Sequence, residues 1–222
     1  ELLEELRWRG LIAQTTDEQA LIEQLDKPTT LYLGIDPTAP SIHCGNLVVL
    51  LVLKRFQAFG HTPIALVGGS TGLVGDPSGK SEERTFNDEA VVKEWVERIR
   101  KQVSKFLDFE AKPNGAIAVN NYDWTKEYSA LRLLREIGKH FSVNQMLSKD
   151  SVQNRLEANG ISYTEFSYQV LQGLDYLELF RRHNCTLQIG GSDQWGNIVA
   201  GLDLIRKIEG GTAHCLTSPL LV

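Results

Sequence analysis

The chain is short of sulfur, of long apolar runs and of any dominant charge, and each shortage removes a class of explanation. Its three cysteines, Cys44, Cys185 and Cys215, are odd in number and scattered over 222 residues. They make no disulfide framework, and without a Cys-x-x-Cys pair or a His/Cys cluster they offer no zinc site. So few thiols fit a reducing compartment, and a cytoplasmic location is expected. No apolar run reaches the roughly 20 residues of a membrane-spanning helix. The first residues, with Glu1, Glu4 and Glu5, resemble neither a secretory signal nor an acid-poor transit peptide. Charge is nearly balanced, 23 Lys and Arg against 28 Asp and Glu, for a net of -5. That excludes a surface coated in nucleic-acid-binding charge, though not a local basic face. Repeats, low-complexity tracts and flexible linkers are missing as well.

What is there is ordinary globular material, 42% hydrophobic and 23% charged, long enough for a sizeable core. Apolar runs at 30–35, 63–67, 116–119 and 186–189 read as buried strands. Helical patterning is expected at 2–13, 17–25, 45–59, 88–107, 127–138, 142–147, 150–158, 164–181 and 193–208. Strands that alternate with helices predict an α/β fold, a parallel sheet with right-handed crossovers. The helical run from about 122 to 182 interrupts that alternation and reads as an insertion.

Chemistry-bearing residues gather where strands end. Tyr32 to Asn46 passes from a strand through a Pro-punctuated turn into His43-Cys44-Gly45-Asn46, which opens an apolar helix. Bare amides at a helix N-terminus attract anions, and ligands of α/β sheets sit outside the carboxyl ends of strands. This segment is therefore a candidate phosphate or nucleotide site. The next strand ends in Gly68-Gly69 and a Gly-rich loop that runs to Gly79-Lys80-Ser81. The loop supplies neither Gly-x-Gly-x-x-Gly nor a complete phosphate-binding loop, because Val74 stands where the first glycine of the latter belongs. A kinase is thus the weaker reading. Asp76 fits two roles equally, a turn cap before Pro77 or a carboxylate that accepts from a ligand. Lys80 and Arg84, beside Glu82 and Glu83, read as a solvated charge run unless a phosphate lies near, when such a loop would close over it.

Gly190-Gly191-Ser192-Asp193-Gln194 follows the fourth strand and opens a helix. Glycines let a ligand approach the backbone, and Asp193 can accept both ribose hydroxyls, against the plainer role of an N-cap. Tyr168, Gln172 and Asp175 share one helix face, costly to bury without a ligand or partner and otherwise an exposed polar stripe. Tyr32, Asn121 and Gln188 sit at or near strands and can add polar groups. Arg206 and Lys207 close the last helix, where cations are often only dipole partners.

Together these residues resemble the bacterial tyrosyl-tRNA synthetases, within the class I aminoacyl-tRNA synthetases, over nearly the whole chain. His43 to Asn46 looks like the family's His-Ile-Gly-His signature, with Asn46 in place of the second histidine. The runs 71–78, 139–144 and 190–197 are similarly family-like. The resemblance implies a Rossmann-like catalytic domain over 1–222 that joins L-tyrosine to ATP, releases pyrophosphate and passes tyrosine to tRNA(Tyr). It implies that Asp175 and Tyr32 hold the phenol, and Asp76, Tyr168 and Gln172 the ammonium. Gln194 then lies near the carboxylate, with Asn121 and Gln188 also on the tyrosine side. Gly34, Asp36 and Thr38 would line the nucleotide path, Gly191 and Asp193 would take the ribose, and His43 and Asn46 the reacting phosphates. Lys80 and Arg84 would hold pyrophosphate, while Arg206 and Lys207 would meet the acceptor stem.

ATP is implied as a substrate with Mg2+ carried on its phosphates, with no protein-bound metal, and a homodimer is implied through the insertion near Tyr163. The Lys-Met-Ser-Lys-Ser loop and the RNA-binding domains fall outside these 222 residues. The chain therefore reads as a truncated catalytic domain that binds tyrosine and its adenylate but activates tyrosine poorly. Pyrophosphate exchange at the full-length rate would refute that. A noncatalytic tyrosine- or RNA-binding paralogue is the alternative, and the Tyr32/Asp175 pair disfavours a tryptophanyl relative.

Overall fold

The computed structural model describes residues 1–78 and 88–221. Among these, six strands build one sheet: β1 (Gln14–Thr15), β2 (Thr30–Ile35), β3 (Thr62–Val67), β4 (Ile117–Asn120), β5 (Cys185–Gly191) and β6 (His214–Ser218). Their order is β1-β6-β5-β2-β3-β4. All pairs from β6 to β4 are parallel, as expected. The edge differs: β1 runs antiparallel to β6, with Gln14 opposite Thr217 and Thr15 opposite Leu216, so the sheet is mixed. Neither strand announced itself, since β1 is too short to alternate. The run His-Cys-Leu-Thr-Ser of β6 is polar at positions that the sheet buries completely.

The helices are α1 (Leu2–Trp8), α2 (Glu18–Leu25), α3 (Cys44–Ala58), α4 (Thr71–Val74), α5 (Glu89–Val103), α6 (Tyr122–Thr125), α7 (Ala130–Arg132), α8 (Val143–Leu147), α9 (Asp150–Ala158), α10 (Tyr163–His183) and α11 (Trp195–Glu209). Their caps are written in the sequence. Asp17, Asp88 and Ser162 accept from backbone N–H groups of the first turns of α2, α5 and α10. Asn184 ends α10 in the left-handed region, at φ 49. Two expectations change. The helix expected over 2–13 stops at Trp8, two residues before Gly10 at φ 66. The helix expected over 127–138 is broken: α7 widens into a π turn (Leu133–Ile137) and tightens into a 3-10 turn (Gly138–His140).

Two apolar clusters cover the two faces of the sheet. Leu31, Leu33 and Ile35 of β2 pack with α1, α3 and α5 on one side. On the other, Tyr32 packs with Leu174 and Leu177 of α10 and Ile198, Leu204 and Ile205 of α11. Burial on both faces is why β2 reads as one apolar run. The close approach of α10 and α11 requires small residues: a Cβ on Gly201 would sit 3.0 Å from the Tyr176 ring, and one on Gly173 would press on Phe141 at 2.8 Å.

This topology makes the site. β2 continues through α3 to β3 on one side, but its other neighbour, β5, arrives only after α6–α10. The chain therefore reverses direction across the sheet between β2 and β5, and a crevice opens at their carboxyl ends.

Candidate functional site

A cleft of about 350 Å3 lies in that crevice, floored by β2 and β5 and walled by α3, α10 and the start of α11. Tyr32 stands directly opposite Gln188 in the ladder, so the two side chains share the cleft face. Gly34, two residues on, keeps that face open: the nearest atom to a Cβ built there is 3.9 Å away. A glycine in mid-strand weakens the strand and here leaves room for something to lie against the backbone.

The deep end is carboxylate and phenol. Asp175 is 3% exposed. Its Oδ1 accepts the Trp124 indole N–H at 2.8 Å and its Oδ2 the Asn121 amide at 2.9 Å. Burial pushes this carboxyl up to about 7 against those two donors. Tyr32 lies beside it, 1% exposed, with a hydroxyl that meets no hydrogen-bonding atom among the described residues. Gln188 is 3% exposed, and its Oε1 is orphaned in the same way. Buried polar atoms are rarely left so, and a ligand with matching groups is the economical explanation.

The middle of the cleft is acidic. Asp36 Oδ2 accepts from the Tyr168 hydroxyl at 2.6 Å and Oδ1 from Thr71 Oγ1 at 2.7 Å. A Cβ on Gly68 would collide with both Asp36 and Thr71, so this arrangement needs the glycine. Asp76 combines the two roles the sequence left open. Its Oδ1 caps the turn by accepting from the Ser78 amide at 2.9 Å, and its Oδ2 accepts from Gln194 Nε2 at 2.6 Å inside the cleft. Burial raises its pKa, and the Ser78 and Gln194 donors oppose the rise. Gln172 accepts from Asn197 at 3.1 Å. Among the described residues, four carboxylates (Asp36, Asp76, Asp175 and Asp193) line the cleft, with no lysine or arginine. That suits an ammonium group.

The outer end is the N-terminus of α3. His43 caps the helix, its Nδ1 accepting from the Asn46 amide at 3.3 Å, while Asn46 Oδ1 accepts from the His43 amide at 3.3 Å. An Nδ1 that accepts leaves the ring proton of neutral His43 on Nε2, a tautomer assigned from this bond. The pair thus offers an imidazole N–H, a carboxamide and free amides to an anion. Across the mouth, a Cβ on Gly191 would press on Asp193 at 2.6 Å, so the glycine lets the acid turn back over the strand end.

Fourteen of the residues singled out from the sequence line this one cleft: Tyr32, Gly34, Asp36, Thr38, His43, Asn46, Asp76, Tyr168, Gln172, Asp175, Gln188, Gly191, Asp193 and Gln194. Asn121 stands behind it, fully buried, bonded to Ser70, Thr71 and Asp175. Arg206 and Lys207 lie apart at the end of α11, both paired with Asp203. Lys80 and Arg84 lie outside the described residues. Trp124 went unnoticed in the sequence, and Thr71 entered only as the first residue of the run 71–78, with no role of its own. Nothing local marks Trp124, whose partner is 51 positions away.

Residues 24–222 match the family described as tRNA synthetases class I (W and Y). The chain is similar to the tyrosine--tRNA ligase of Mycobacterium tuberculosis, 57% identical over 221 residues, which cover 99% of this chain and 52% of that protein. It is 58% identical to tyrosine--tRNA ligase 1 of Bacillus licheniformis over 222 residues, 99% of this chain and 52% of the relative. The chain thus spans about half the length of these curated relatives. The crystal structure of a C-terminally truncated Aspergillus nidulans mitochondrial tyrosyl-tRNA synthetase superposes with a TM-score of 0.91 at 30% identity, covering 100% of this chain and 69% of that one.

Proposed function

The chain belongs to the class I tRNA synthetases of the tryptophan and tyrosine type, and from that membership and the chemistry of the cleft we propose that it is the catalytic part of a tyrosine--tRNA ligase. It would be an aminoacyl-tRNA ligase, working in the cytoplasm, that activates L-tyrosine with ATP and then charges tRNA(Tyr). The observation that carries the reading is the deep end of the cleft. A buried Tyr32 hydroxyl without a partner among the described residues stands beside a buried carboxylate, a polar pair matched to a phenol.

The phenol donates to Asp175 and meets the Tyr32 hydroxyl, while the ammonium group lies among Asp76, Tyr168 and Gln172. Gln194 and Gln188 complete the tyrosine side, with Asn121 holding Asp175 from behind. The tyrosine carboxylate is ionised at neutral pH, so it attacks the α-phosphate without a general base, and pyrophosphate leaves. Placement and charge stabilisation do the rest. His43 and Asn46 offer donors to the phosphates from the start of α3, Gly34, Asp36 and Thr38 flank the nucleotide, and Gly191 and Asp193 take its ribose. Lys80 and Arg84 are assigned to pyrophosphate. Mg2+ arrives on the nucleotide as part of the substrate. No protein-bound metal is assigned.

Helices α6–α10 would form an insertion at about 122–182 whose exposed apolar residues Leu131, Leu134, Val143, Leu156 and Tyr163 make a homodimer contact. Arg206 and Lys207 would meet tRNA phosphates, which the salt dependence of tRNA affinity tests. Calorimetry with L-tyrosine, L-phenylalanine and L-tryptophan tests the central claim. Tyrosine should bind well ahead of the other two, and Asp175→Ala should remove the preference. Equal binding of tyrosine and phenylalanine would sink it.

A further inference from the structure

Asp175 is held from behind the cleft by two donors, Asn121 and Trp124. Its Oδ1 takes the Trp124 N–H, and Trp124 sits on α6, a short element of four residues with no covalent tie near α10. What bridges the two is Arg182, seven positions beyond Asp175 on α10 and so on the same helix face. Its guanidinium carbon lies 5.6 Å from the centroid of the Trp124 ring. Its Nε donates to Glu178 Oε2 at 2.8 Å, and its Nη2 lies 3.8 Å from Glu127 Oε2, just past α6. The Arg182 side chain, 43% exposed, therefore contacts both elements while its guanidinium lies against the indole. A cation near an indole face attracts the ring, and it draws electron density from the ring, which makes the N–H a better donor.

We infer that Arg182 is a positioning residue for substrate selection: it clamps the Trp124 indole so that its N–H holds Asp175 ready to accept a phenol. The inference rests on reading the cleft as a tyrosine site. Arg182 also pairs with the buried Glu178. Asp175 is faced by Glu178 on its own helix, by Asp36 beyond β2, and by the phenols of Tyr32 and Tyr168. Without Arg182, Glu178 keeps Arg181 and the Tyr128 hydroxyl but loses one compensating charge. The Asp175 carboxylate then becomes harder to ionise.

The test is calorimetric affinity for L-tyrosine and L-phenylalanine between pH 6 and 8.5 with the 222-residue chain, Arg182→Ala, Arg182→Lys, Trp124→Phe, the Arg182→Ala/Trp124→Phe pair, and Asp175→Ala. Arg182→Ala should weaken tyrosine about three- to fivefold near pH 7, leave phenylalanine unchanged and move the midpoint of tyrosine binding to higher pH. Lysine should restore most of the loss, and in the Trp124→Phe background Arg182→Ala should add nothing to it. An equal loss for both amino acids, no loss, no rescue by lysine, or an undiminished loss beside Trp124→Phe would overturn the inference. Should Asp175→Ala keep the tyrosine preference, the tyrosine reading itself fails. Should Asp175→Ala lose the preference while Arg182→Ala keeps it, only the role of Arg182 fails.

Discussion

The Tyr32 hydroxyl is one of two buried cleft atoms without a hydrogen-bond partner among the described residues, and its cost to the fold is separable from its use. Removing a buried hydroxyl without a partner costs the fold little or stabilises it, whereas a ligand that pairs with it loses about 0.5–1.5 kcal/mol. Tyr32→Phe should therefore keep or raise the denaturation midpoint while it weakens tyrosine binding roughly three- to tenfold, read by chemical denaturation and calorimetry on one sample. Asp175 gives a pH signature. Its folded value of about 7 lies above its usual one, so between about pH 4 and pH 7 the native state keeps a proton that the unfolded chain releases. Its contribution to stability is thus lost as pH rises through that window. The ionised form accepts the phenol, so tyrosine binding should strengthen as pH rises through about 7, and the thermal shift from saturating tyrosine should be larger at pH 8 than at pH 5.5. A flat shift would remove Asp175 from the phenol. At this scale the sequence was most legible where a polar type sat against its surroundings, as Asp175 and Gln172 do amid the leucines of α10. It was silent on Trp124, because an indole between aspartate and threonine is ordinary until the fold brings Asp175 to it.

The start of α3 does two jobs with one pair of side chains. His43 and Asn46 close the helix reciprocally, and the same two face the cleft. Loss of a cap costs about 1 kcal/mol, and asparagine caps well. His43→Asn should then hold the melting temperature near that of the parent while tyrosine-dependent pyrophosphate exchange falls; His43→Ala should lower both. If the two variants lost activity only in proportion to stability, His43 would be a cap and nothing more. The central elements were legible because their signals are local: β2 was placed residue for residue by its apolar run, and α2 and α5 begin at the local caps Asp17 and Asp88. β1 and β6 were not, since β1 is a strand only by virtue of β6, 199 residues away at the Thr16–Cys215 contact, and β6 is a polar run that pairs only with distant strands. The π turn in the insertion escaped for a related reason. Residues 127–138 have helical spacing, and packing of Leu133 and Ile137 against the distant core sets the local winding.

At the scale of the molecule, α7 and the start of α10 leave apolar side chains in water, with Leu131 80% and Tyr163 71% exposed. Patches of this kind mark contacts with other protein. Leu134→Glu should convert a dimer into a monomer in sedimentation equilibrium, and a monomeric parent chain would refute the proposed contact. The buried Arg155–Glu165 pair, at 2.8 Å, ties α9 to α10, the helix that also carries Tyr168, Gln172 and Asp175. The reversal of the sheet between β2 and β5 has a consequence in time. Tyr32 and Gln188 meet side by side, yet the chain is made from one end, and at 5–20 residues per second roughly 8–30 s separate their synthesis. Through that interval β2 has only half its neighbours, and the floor for the phenol does not exist. A nascent chain would therefore gain its grip on tyrosine in a single late step, when β5 slots in beside β2, and release of stalled chains at increasing lengths would show tyrosine retention switching on near residue 190 rather than growing with each helix.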